Sequence, residues 1–306
     1  FNKHKFQIKR GGIKLLIIKI INALLRSHKL IYFLLSFIVL ICLIVLSNFK
    51  KIRLGRIRTD KIGAFSVLSE LYLSDSKNLK NTFNKEIVVF FREKNICNKY
   101  LFKLIKKKII IFQNIIFSQL YQLLILFNLK QFIYERKYGD IDHNYSLSRT
   151  GNQIRIPQED YKDLKSLFKI LGIKKKDKII CLTVRDNAFH GKSELTEYRN
   201  VKINNYKSSI MYLIKKGYFV LRMGRKTNTK INIKNKKFID YSKLKYRNEK
   251  LDILIASKSS FCISTGTGFD GIIRMFRKPT LFTNYAPIVY FPSDIFNSQI
   301  IFKKLY

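Results

Sequence analysis

The sequence predicts an α/β protein whose two halves each contain a parallel sheet, preceded by an N-terminal hydrophobic helical segment. Three observations lead to this prediction. First, Leu30–Leu46 is an uncharged apolar run. Second, strand-like and helix-like patterns alternate along the rest of the chain, as parallel sheets require. Third, 306 residues, 47 % of them hydrophobic, suffice for about two packed domains, which excludes a basic disordered tail.

The apolar run Leu30–Leu46 indicates contact with a membrane. As a helix, its 17 residues would measure about 26 Å, close to the hydrocarbon thickness of a bilayer, about 30 Å. Flanking lysines favour an interfacial position over the alternative of a buried core helix, and the run lacks the cleavage pattern of a signal peptide. The shorter segment Ile13–Leu25 is typical of a helix lying in the interface.

Charge does not select an orientation for this segment. Residues 1–61 contain 14 Lys and Arg and one acid, so both sides of the apolar run are basic. A single membrane-spanning helix would export one of these two basic sides of the chain, whereas a re-entrant or surface-lying helical hairpin exports neither. We therefore expect residues 1–50 to form a membrane-associated segment that holds the chain at the cytoplasmic face, against an anionic membrane surface.

Lysine dominates the charge of the whole chain. There are 60 Lys and Arg against 20 Asp and Glu, which gives a net charge of +40, and Lys outnumbers Arg by 44 to 16. Nucleic-acid surfaces usually cluster their charge and favour Arg, whereas here lysine is spread throughout. No nucleic-acid partner is therefore expected. A charge this large should still attract the chain to anionic lipids and phosphates.

The first half, residues 51–150, contains apolar strands followed by helical patterns. Glu86–Phe91 reads EIVVFF, which is typical of a buried parallel strand. The polar stretch Tyr138–Gln158 contains Gly, Asn, Ser and Pro and predicts the boundary to the second half. The predicted strands are Lys51–Ile57, Glu86–Phe91 and Ile109–Phe112, and the predicted helices are Ala64–Leu73 and Ile115–Phe127.

The second half, residues 151–306, has clearer helix ends. Pro157 starts a helix that ends at Leu171, just before Gly172. Asn204–Lys216 has its apolar residues on one face and ends before Gly217, which suits a left-handed cap. The predicted strands are Lys178–Val184, Tyr218–Met223, Lys237–Tyr241, Phe261–Thr265 and Pro279–Thr283, with further helices at Leu251–Ala256 and Asp270–Phe276.

Three strand ends of the second half carry groups that suit a phosphate. Ligands of parallel sheets bind beyond the carboxyl ends of the strands. A diphosphate there needs backbone N–H groups, hydroxyl donors and guanidinium groups, and glycines allow it close approach. The candidate residues are Arg185 after the first strand, Arg222 and Gly224 at the second, and Thr265, Gly266, Thr267 and Gly268 at the fourth.

Two alternatives stand beside this phosphate site. Arg185 could instead form a surface salt bridge with Asp186. The glycines at 266, 268 and 271 have the spacing G-x-G-x-x-G, but the acidic residue that should end a suitable following strand is missing, so a dinucleotide site is the weaker alternative. The spacing does not match a P-loop.

Several segments together resemble a family of bacterial glycosyltransferases found with surface-polysaccharide genes. The resemblance covers about residues 52–292, and its most specific parts are Tyr198–Asn200 and Gly217–Gly224. The other matching segments are Arg58–Gly63, Glu70–Leu73, Val184–Asp186, Ile239–Tyr241, Leu251–Ile253 and Ser264–Gly268. More distantly, the loop after the first strand and the Gly-Thr segment look like those of heptosyltransferases.

The resemblance implies two facing Rossmann-like domains, the GT-B fold. It implies a nucleotide-sugar donor held by the second domain, residues 151–306, and a glycan or lipid-linked acceptor held by the first, residues 51–150. The nucleotide sugar would be a substrate, and no metal or other cofactor is expected. Asp140-Ile141-Asp142 resembles the metal-binding D-x-D pair of another glycosyltransferase class, but the preceding Gly139 indicates a turn. The bacterial inner membrane is the expected location.

One departure from the family concerns the general base. The family usually has His after the first-loop glycine, Gly63, whereas this chain has Ala64, which cannot accept a proton. Asp60 and Asp186 are the candidate bases, and Lys61, Gly63 and Arg199 are expected to assist the substrates. GT-B enzymes usually finish with further helices, so we expect the second domain to be incomplete at its C-terminus.

Two other functions remain open at this point. Ala64 is compatible with a catalytically impaired homologue that still binds nucleotide sugars. The charge of +40 is compatible with a basic protein that binds membranes or nucleic acid.

Overall fold

The computed structural model describes residues 31–79, 86–92, 95–188, 197–288 and 298–304. The predicted interfacial helix at Ile13–Leu25 lies outside these residues. The described chain divides into two compact units. Unit one contains residues 31–56, 86–92 and 111–135, and unit two contains the remaining described residues. The domain boundaries near residues 51 and 151 stay a prediction of the sequence.

The strands and α-helices of the described residues are numbered in chain order. The strands are β1 Lys51–Arg56, β2 Glu86–Phe91, β3 Ile111–Phe112, β4 Ile133–Tyr134, β5 Ile179–Thr183, β6 Phe219–Arg222, β7 Phe238–Ile239, β8 Phe261–Ser264, β9 Thr280–Tyr285 and β10 Gln299–Phe302. The helices are α1 at residues 31–47, α2 Ile62–Asn78, α3 Lys99–Lys106, α4 Ile115–Leu126, α5 Ser146–Arg149, α6 Tyr161–Ile170, α7 Lys207–Lys215, α8 Glu249–Lys258 and α9 Asp270–Met275.

Unit one is a four-stranded parallel sheet in the order β3-β2-β1-β4. β1 and β2 pair along their whole length, from Lys51 opposite Glu86 to Arg56 opposite Phe91. The unit's core forms between this sheet and two helices, α1 and α4. Its buried residues are Leu40, Leu43, Leu54, Phe91, Leu120, Leu123, Leu124 and Phe132.

Helix α1 occupies most of the apolar run that the sequence associates with a membrane. Leu40 and Leu43 on one side of α1 are buried in the core of unit one. Across the described ranges of the chain, no helix combines the length and the apolar character needed to cross a bilayer.

Unit two is a six-stranded sheet in the order β10-β9-β8-β5-β6-β7, with every neighbouring pair parallel. Strand β5 lies at its centre, and all five of its residues are buried. The main cluster contains Ile180, Leu182 and Val220 from strands together with Ile210 and Ile214 from α7. The predicted cap glycines Gly172 and Gly217 have φ angles of 70° and 94°, so both end a helix in the left-handed region.

Helix α2 belongs to unit two, where polar contacts hold it. The buried carboxylate of Glu70 accepts hydrogen bonds from the backbone N–H groups of Gln153 and Ile154, at 2.7 and 3.0 Å. Arg277, just after α9, donates from Nη2 to Glu70 Oε1 at 2.8 Å and from Nε to the carbonyl of Leu147 at 2.8 Å. One arginine thus ties α2, the end of α9 and the segment around α5 together.

Every strand predicted from the sequence is present, with ends shifted by a few residues. The α/β class with parallel sheets is therefore confirmed. Helices α3 and α5 and strands β4 and β10 were not predicted. Strands β4 and β10 have two and four residues, which is too short for a clear strand pattern in the sequence.

Candidate functional site

The three strand ends predicted to carry the phosphate site lie side by side in unit two. Strand β5 pairs with β8 on one side and with β6 on the other, and all three are parallel. Thr183, the last residue of β5, lies opposite Ser264, the last residue of β8. The residues that follow these strands therefore emerge at one edge of the sheet.

The turn after β8, residues 265–268, is called the Gly-Thr loop below. Gly266 has a φ angle of 78°, and an added Cβ would lie 3.0 Å from the ring of Tyr285, so this position needs glycine. The backbone N–H of Thr265 donates to the carbonyl of Thr183 at 3.1 Å, which joins the loop to β5. The loop conformation is thus defined by its own backbone and by the neighbouring strand.

Asp270 braces the Gly-Thr loop from its C-terminal side. Its carboxylate accepts hydrogen bonds from the hydroxyl of Ser264 at 2.5 Å and from the backbone N–H of Thr267 at 2.7 Å. The Thr267 hydroxyl donates to the same carboxylate at 3.2 Å. Burial raises the pKa of Asp270 to about 6. The hydrogen bonds that fix the loop offset part of the cost of burying this acid.

Two arginines contact the loop, Arg185 through its backbone and Arg199 through its guanidinium. The backbone N–H of Arg185 donates to Thr265 Oγ1 at 2.8 Å, and Arg199 Nη2 donates to the carbonyl of Gly266 at 3.0 Å. Burial, followed by the like charge of Arg199, lowers the pKa of Arg185. Within the described ranges, Arg185 Nε is buried and has no hydrogen-bond partner. This arrangement concentrates positive charge where an anion would compensate it.

Glycines bring the start of α2 against the Gly-Thr loop. A Cβ added at Gly63 would lie 3.0 Å from the carbonyl oxygen of Gly268. A Cβ added at Gly271, in the first turn of α9, would lie 2.5 Å from the carbonyl oxygen of Gly63 and 2.7 Å from Ser66 Oγ. The two backbones therefore approach to a distance that only glycine permits.

Replacing Gly271 by alanine is expected to destabilise unit two by about 1–3 kcal/mol, because its methyl group would overlap the Gly63 backbone. This loss should exceed the gain of up to about 1 kcal/mol that alanine brings to a helix. Urea unfolding followed by circular dichroism measures it. Gly151→Ala is the matched control, since no atom lies within 4 Å of the added Cβ. Equal stability of the two variants would contradict the close approach.

Arg222 is buried, and its guanidinium has partners on both sides. Nη1 donates to the carbonyl of Thr229 at 2.6 Å and lies 3.1 Å from Asp240 Oδ2, and Nη2 lies 3.9 Å from Asp186 Oδ2. Its side chain is 1 % exposed. The structure thus uses Arg222 to hold the segment that follows β6, and a contact between Arg222 and a diphosphate stays a prediction.

Asp186 and Gly224 belong to the same region. Asp186 accepts hydrogen bonds from the backbone N–H groups of Ala188 and Asn228, at 3.0 and 2.9 Å, and it faces Arg222 rather than forming the alternative pair with Arg185. Gly224 has a φ angle of 154°, and an added Cβ would lie 3.0 Å from Thr227. The predicted base Asp186 therefore has both carboxylate oxygens engaged by the surrounding loops.

The residues predicted before α2 lie in unit two as well. Asp60 Oδ1 is 3.7 Å from Arg58 Nε. Lys61 is the exposed N-terminal cap residue of α2, and Ala64 is partly buried in its first turn, next to Gly63. Position 64 is therefore adjacent to the glycine that packs against the Gly-Thr loop.

The structure brings most of the predicted residues together. Arg185, Arg199, Thr265 and Gly266 are linked by hydrogen bonds, and Gly63 contacts Gly268. Arg222 and Asp186 form a neighbouring pair. The contacts by which Ser264, Asp270 and Gly271 stabilise the loop were not predicted from the sequence. An acid three residues after Thr267 is nevertheless a typical signal for the start of a helix.

The D-x-D pair lies in a turn, as predicted. Asp142 accepts hydrogen bonds from the N–H groups of Ser146 and Leu147, at 2.8 and 2.7 Å, and thus caps α5. In the part of the chain that the structure describes, no group of three or more His, Cys, Asp or Glu residues is placed to hold a metal ion.

The fold has counterparts among solved structures. The chain is similar to the glycosyl transferase family 9 protein of Veillonella parvula DSM 2008, with a TM-score of 0.51 and 12 % identity over 82 % of this chain and 86 % of that one. It also matches the ADP-heptose LPS heptosyltransferase II of E. coli, with a TM-score of 0.45 and 9 % identity over 82 % and 90 %. No protein-family model matches the sequence, and no curated protein does. The first structural match confirms the α/β fold with parallel sheets that the resemblance implies.

Proposed function

We propose that the protein is a glycosyltransferase that moves a sugar from a nucleotide-diphosphate donor to a saccharide or lipid-linked acceptor in surface-glycan assembly. One observation carries the proposal. The partly buried side chain of Arg185 is close enough to feel the like charge of Arg199, the Arg185 backbone N–H bonds to the buried Thr265 of the Gly-Thr loop, and the Arg199 guanidinium bonds to Gly266. A diphosphate would compensate this charge. The fold shared with a protein described as a glycosyl transferase supports the same class.

The geometry suits the charge that develops during sugar transfer. As the bond between the sugar and the diphosphate breaks, the sugar becomes oxocarbenium-like and negative charge grows on the departing diphosphate. Arg185 and the Gly-Thr loop would stabilise that charge. The bond that Arg199 donates to the loop and the bond that Asp270 accepts from it hold the loop before the substrate arrives. Lys61 at the start of α2 would add positive charge. No metal cofactor is part of the proposal, as the resemblance implies.

The general base is assigned to Asp60. The alternative, Asp186, accepts hydrogen bonds from two backbone N–H groups and faces Arg222. Both of its carboxylate oxygens are therefore already hydrogen-bonded to the surrounding loops. Asp60 precedes α2, its side chain is 21 % exposed, and its Oδ1 lies 3.7 Å from Arg58 Nε. Asp60 would take the proton of the acceptor hydroxyl as that oxygen attacks the sugar.

Isothermal titration of the full chain with UDP, GDP, ADP and CMP tests the donor site. At least one of the three nucleoside diphosphates should bind, and CMP, which lacks the diphosphate, should bind more weakly than the best of them. A folded protein that binds none of the four contradicts the proposal.

Replacing Asp60 by asparagine is expected to lower the rate of sugar transfer at least a hundredfold, because general bases contribute about 10²–10⁴ to the rate. The donor dissociation constant should stay within about twofold, since the proton comes from the acceptor. Asp140→Asn is the control, as the side chain of Asp140 is 72 % exposed. Full activity of Asp60→Asn would remove Asp60 as the base.

Ala64 favours one alternative, a catalytically impaired homologue that still binds nucleotide sugars. Ala64 follows Gly63, which packs on the Gly-Thr loop, and the resemblance implies a histidine at this position. If this alternative holds, the unaltered chain shows no detectable turnover, and Ala64→His brings transfer to at least ten times the detection limit. Turnover by the unaltered chain excludes the alternative.

A further inference from the structure

Helix α1 exposes an apolar surface to the outside of unit one. Ile38 and Ile41 are 59 % and 61 % exposed, and Leu34 and Val45 are 57 % and 52 % exposed. Every exposed residue of α1 is uncharged. Contiguous exposed apolar patches of this kind mark sites that contact a membrane or another protein.

The opposite side of α1 is fixed to the protein. Leu40 and Leu43 are buried with Leu54 of β1 and Leu120 and Leu123 of α4. The helix therefore lies along the unit with one side in its core and the other side outward. This is the arrangement of a helix that lies on an interface.

The C-terminal end of α4 continues the exposed surface. The rings of Phe37 in α1 and Phe127 after α4 are 6.1 Å apart, edge to face. Next to Phe127, Ile125 and Leu126 are 53 % and 71 % exposed. The apolar face is defined here as the exposed residues Leu34, Ile38, Ile41, Val45, Ile125, Leu126 and Phe127.

Basic residues follow both helices of the apolar face. Lys50 and Lys51 follow α1, Lys130 follows the end of α4, and all three are exposed. The Lys51 ammonium also lies 3.6 Å from Glu86 Oε2. Lysine side chains of this kind lie along apolar surface and place their charge at the level of lipid headgroups. The net charge of +40 also opposes a second copy of the chain as the occupant, because two such copies repel each other.

We infer that the apolar face of unit one binds the surface of a bilayer that contains anionic lipids, with α1 lying in the interface. The apolar residues enter the boundary between headgroups and acyl chains, and the lysines contact the anionic headgroups. The inference is independent of the glycosyltransferase proposal, because none of the residues involved belongs to the candidate site.

Flotation with vesicles of phosphatidylcholine and phosphatidylglycerol at 7:3 tests the inference with the full chain. Charge alone would bind any variant at low salt, so the assay uses 0.5 M NaCl, which screens exposed charges. We expect Ile38→Asp/Ile41→Asp to reduce the partition coefficient at least tenfold. Ile170→Asp is the matched control, because Ile170 is also an exposed apolar helix residue, at 60 %, and it should change partitioning less than twofold.

Fluorescence gives a second measurement that does not depend on the acidic variants. Cys42 is exposed on α1, so a polarity-sensitive dye attached there, in a chain with Cys97→Ser, should shift to the blue on vesicles and be quenched by lipids brominated in the acyl chain. The same dye attached at position 170, in a chain with Cys42→Ser, Cys97→Ser and Ile170→Cys, should not be quenched. Any of three results overturns the inference. They are unchanged partitioning of the double variant, an equal loss of partitioning in the Ile170→Asp control, and a dye at Cys42 that is not quenched. A dimer in vesicle-free solution that the double variant dissociates also overturns the inference.

Discussion

Arg185→Ala is expected to weaken nucleoside-diphosphate binding by about 1.5–3 kcal/mol, roughly 10- to 150-fold in Kd, because each hydrogen bond to a charged group contributes on this scale. In the structure, burial and the like charge of Arg199 lower the pKa of Arg185, so the site without ligand carries unfavourable charge. A bound diphosphate would remove that cost and add charge-assisted hydrogen bonds. Isothermal titration with the best-binding nucleotide measures the loss.

The control for this prediction is Arg155→Ala. Arg155 is an exposed arginine of unit two and should leave the dissociation constant unchanged within about twofold. A basic protein whose charge is its function would lose little affinity with either variant, and its binding would fall steeply with salt. Equal, small effects of the two substitutions would therefore contradict the phosphate site and favour a basic binder.

Arg277→Met is expected to lower the free energy of unfolding by about 3–5 kcal/mol, because it leaves the Glu70 carboxylate without its cationic partner. The side chain of Glu70 is 1 % exposed, and Arg277 also donates to the carbonyl of Leu147. Removing the arginine thus breaks contacts among three parts of unit two. Urea unfolding at neutral pH measures the change.

A second variant separates the charge from the loss of packing. Glu70→Gln/Arg277→Met has no uncompensated charge and should be more stable than Arg277→Met by about 1–2 kcal/mol. Arg155→Met, at an exposed arginine, should match the unaltered protein. Arg277→Met within about 1 kcal/mol of the unaltered protein would show that the pair does not hold α2 in place.

The secondary structure could be predicted where local signals were strong. The run EIVVFF became β2, and the glycines after α6 and α7 ended those helices as expected. Strand β10 could not be predicted because its pairing with β9 depends on tertiary contacts rather than on its own pattern. Helix α3 was missed because it has only eight residues, three of them lysines, so the spacing of Leu101, Leu104 and Ile105 covers little more than one turn.

The candidate site was predictable as a location and less so in detail. The positions of Arg185 and the Gly-Thr loop follow from strand order, because parallel strands bring their carboxyl ends to one edge. The partners of Arg222 are Asp240 and Thr229, far from it in sequence or on an irregular loop, so no local pattern could reveal them. The contact between Gly63 and Gly271 likewise joins segments about two hundred residues apart.

A crystal structure of the chain with a bound nucleoside diphosphate would show directly where the two phosphates bind. We expect both phosphates at the carboxyl edge of the sheet of unit two, with at least one oxygen within about 3 Å of the Arg185 guanidinium and the Gly-Thr loop alongside. A diphosphate bound elsewhere, or one at this edge that Arg185 does not contact, would contradict this expectation.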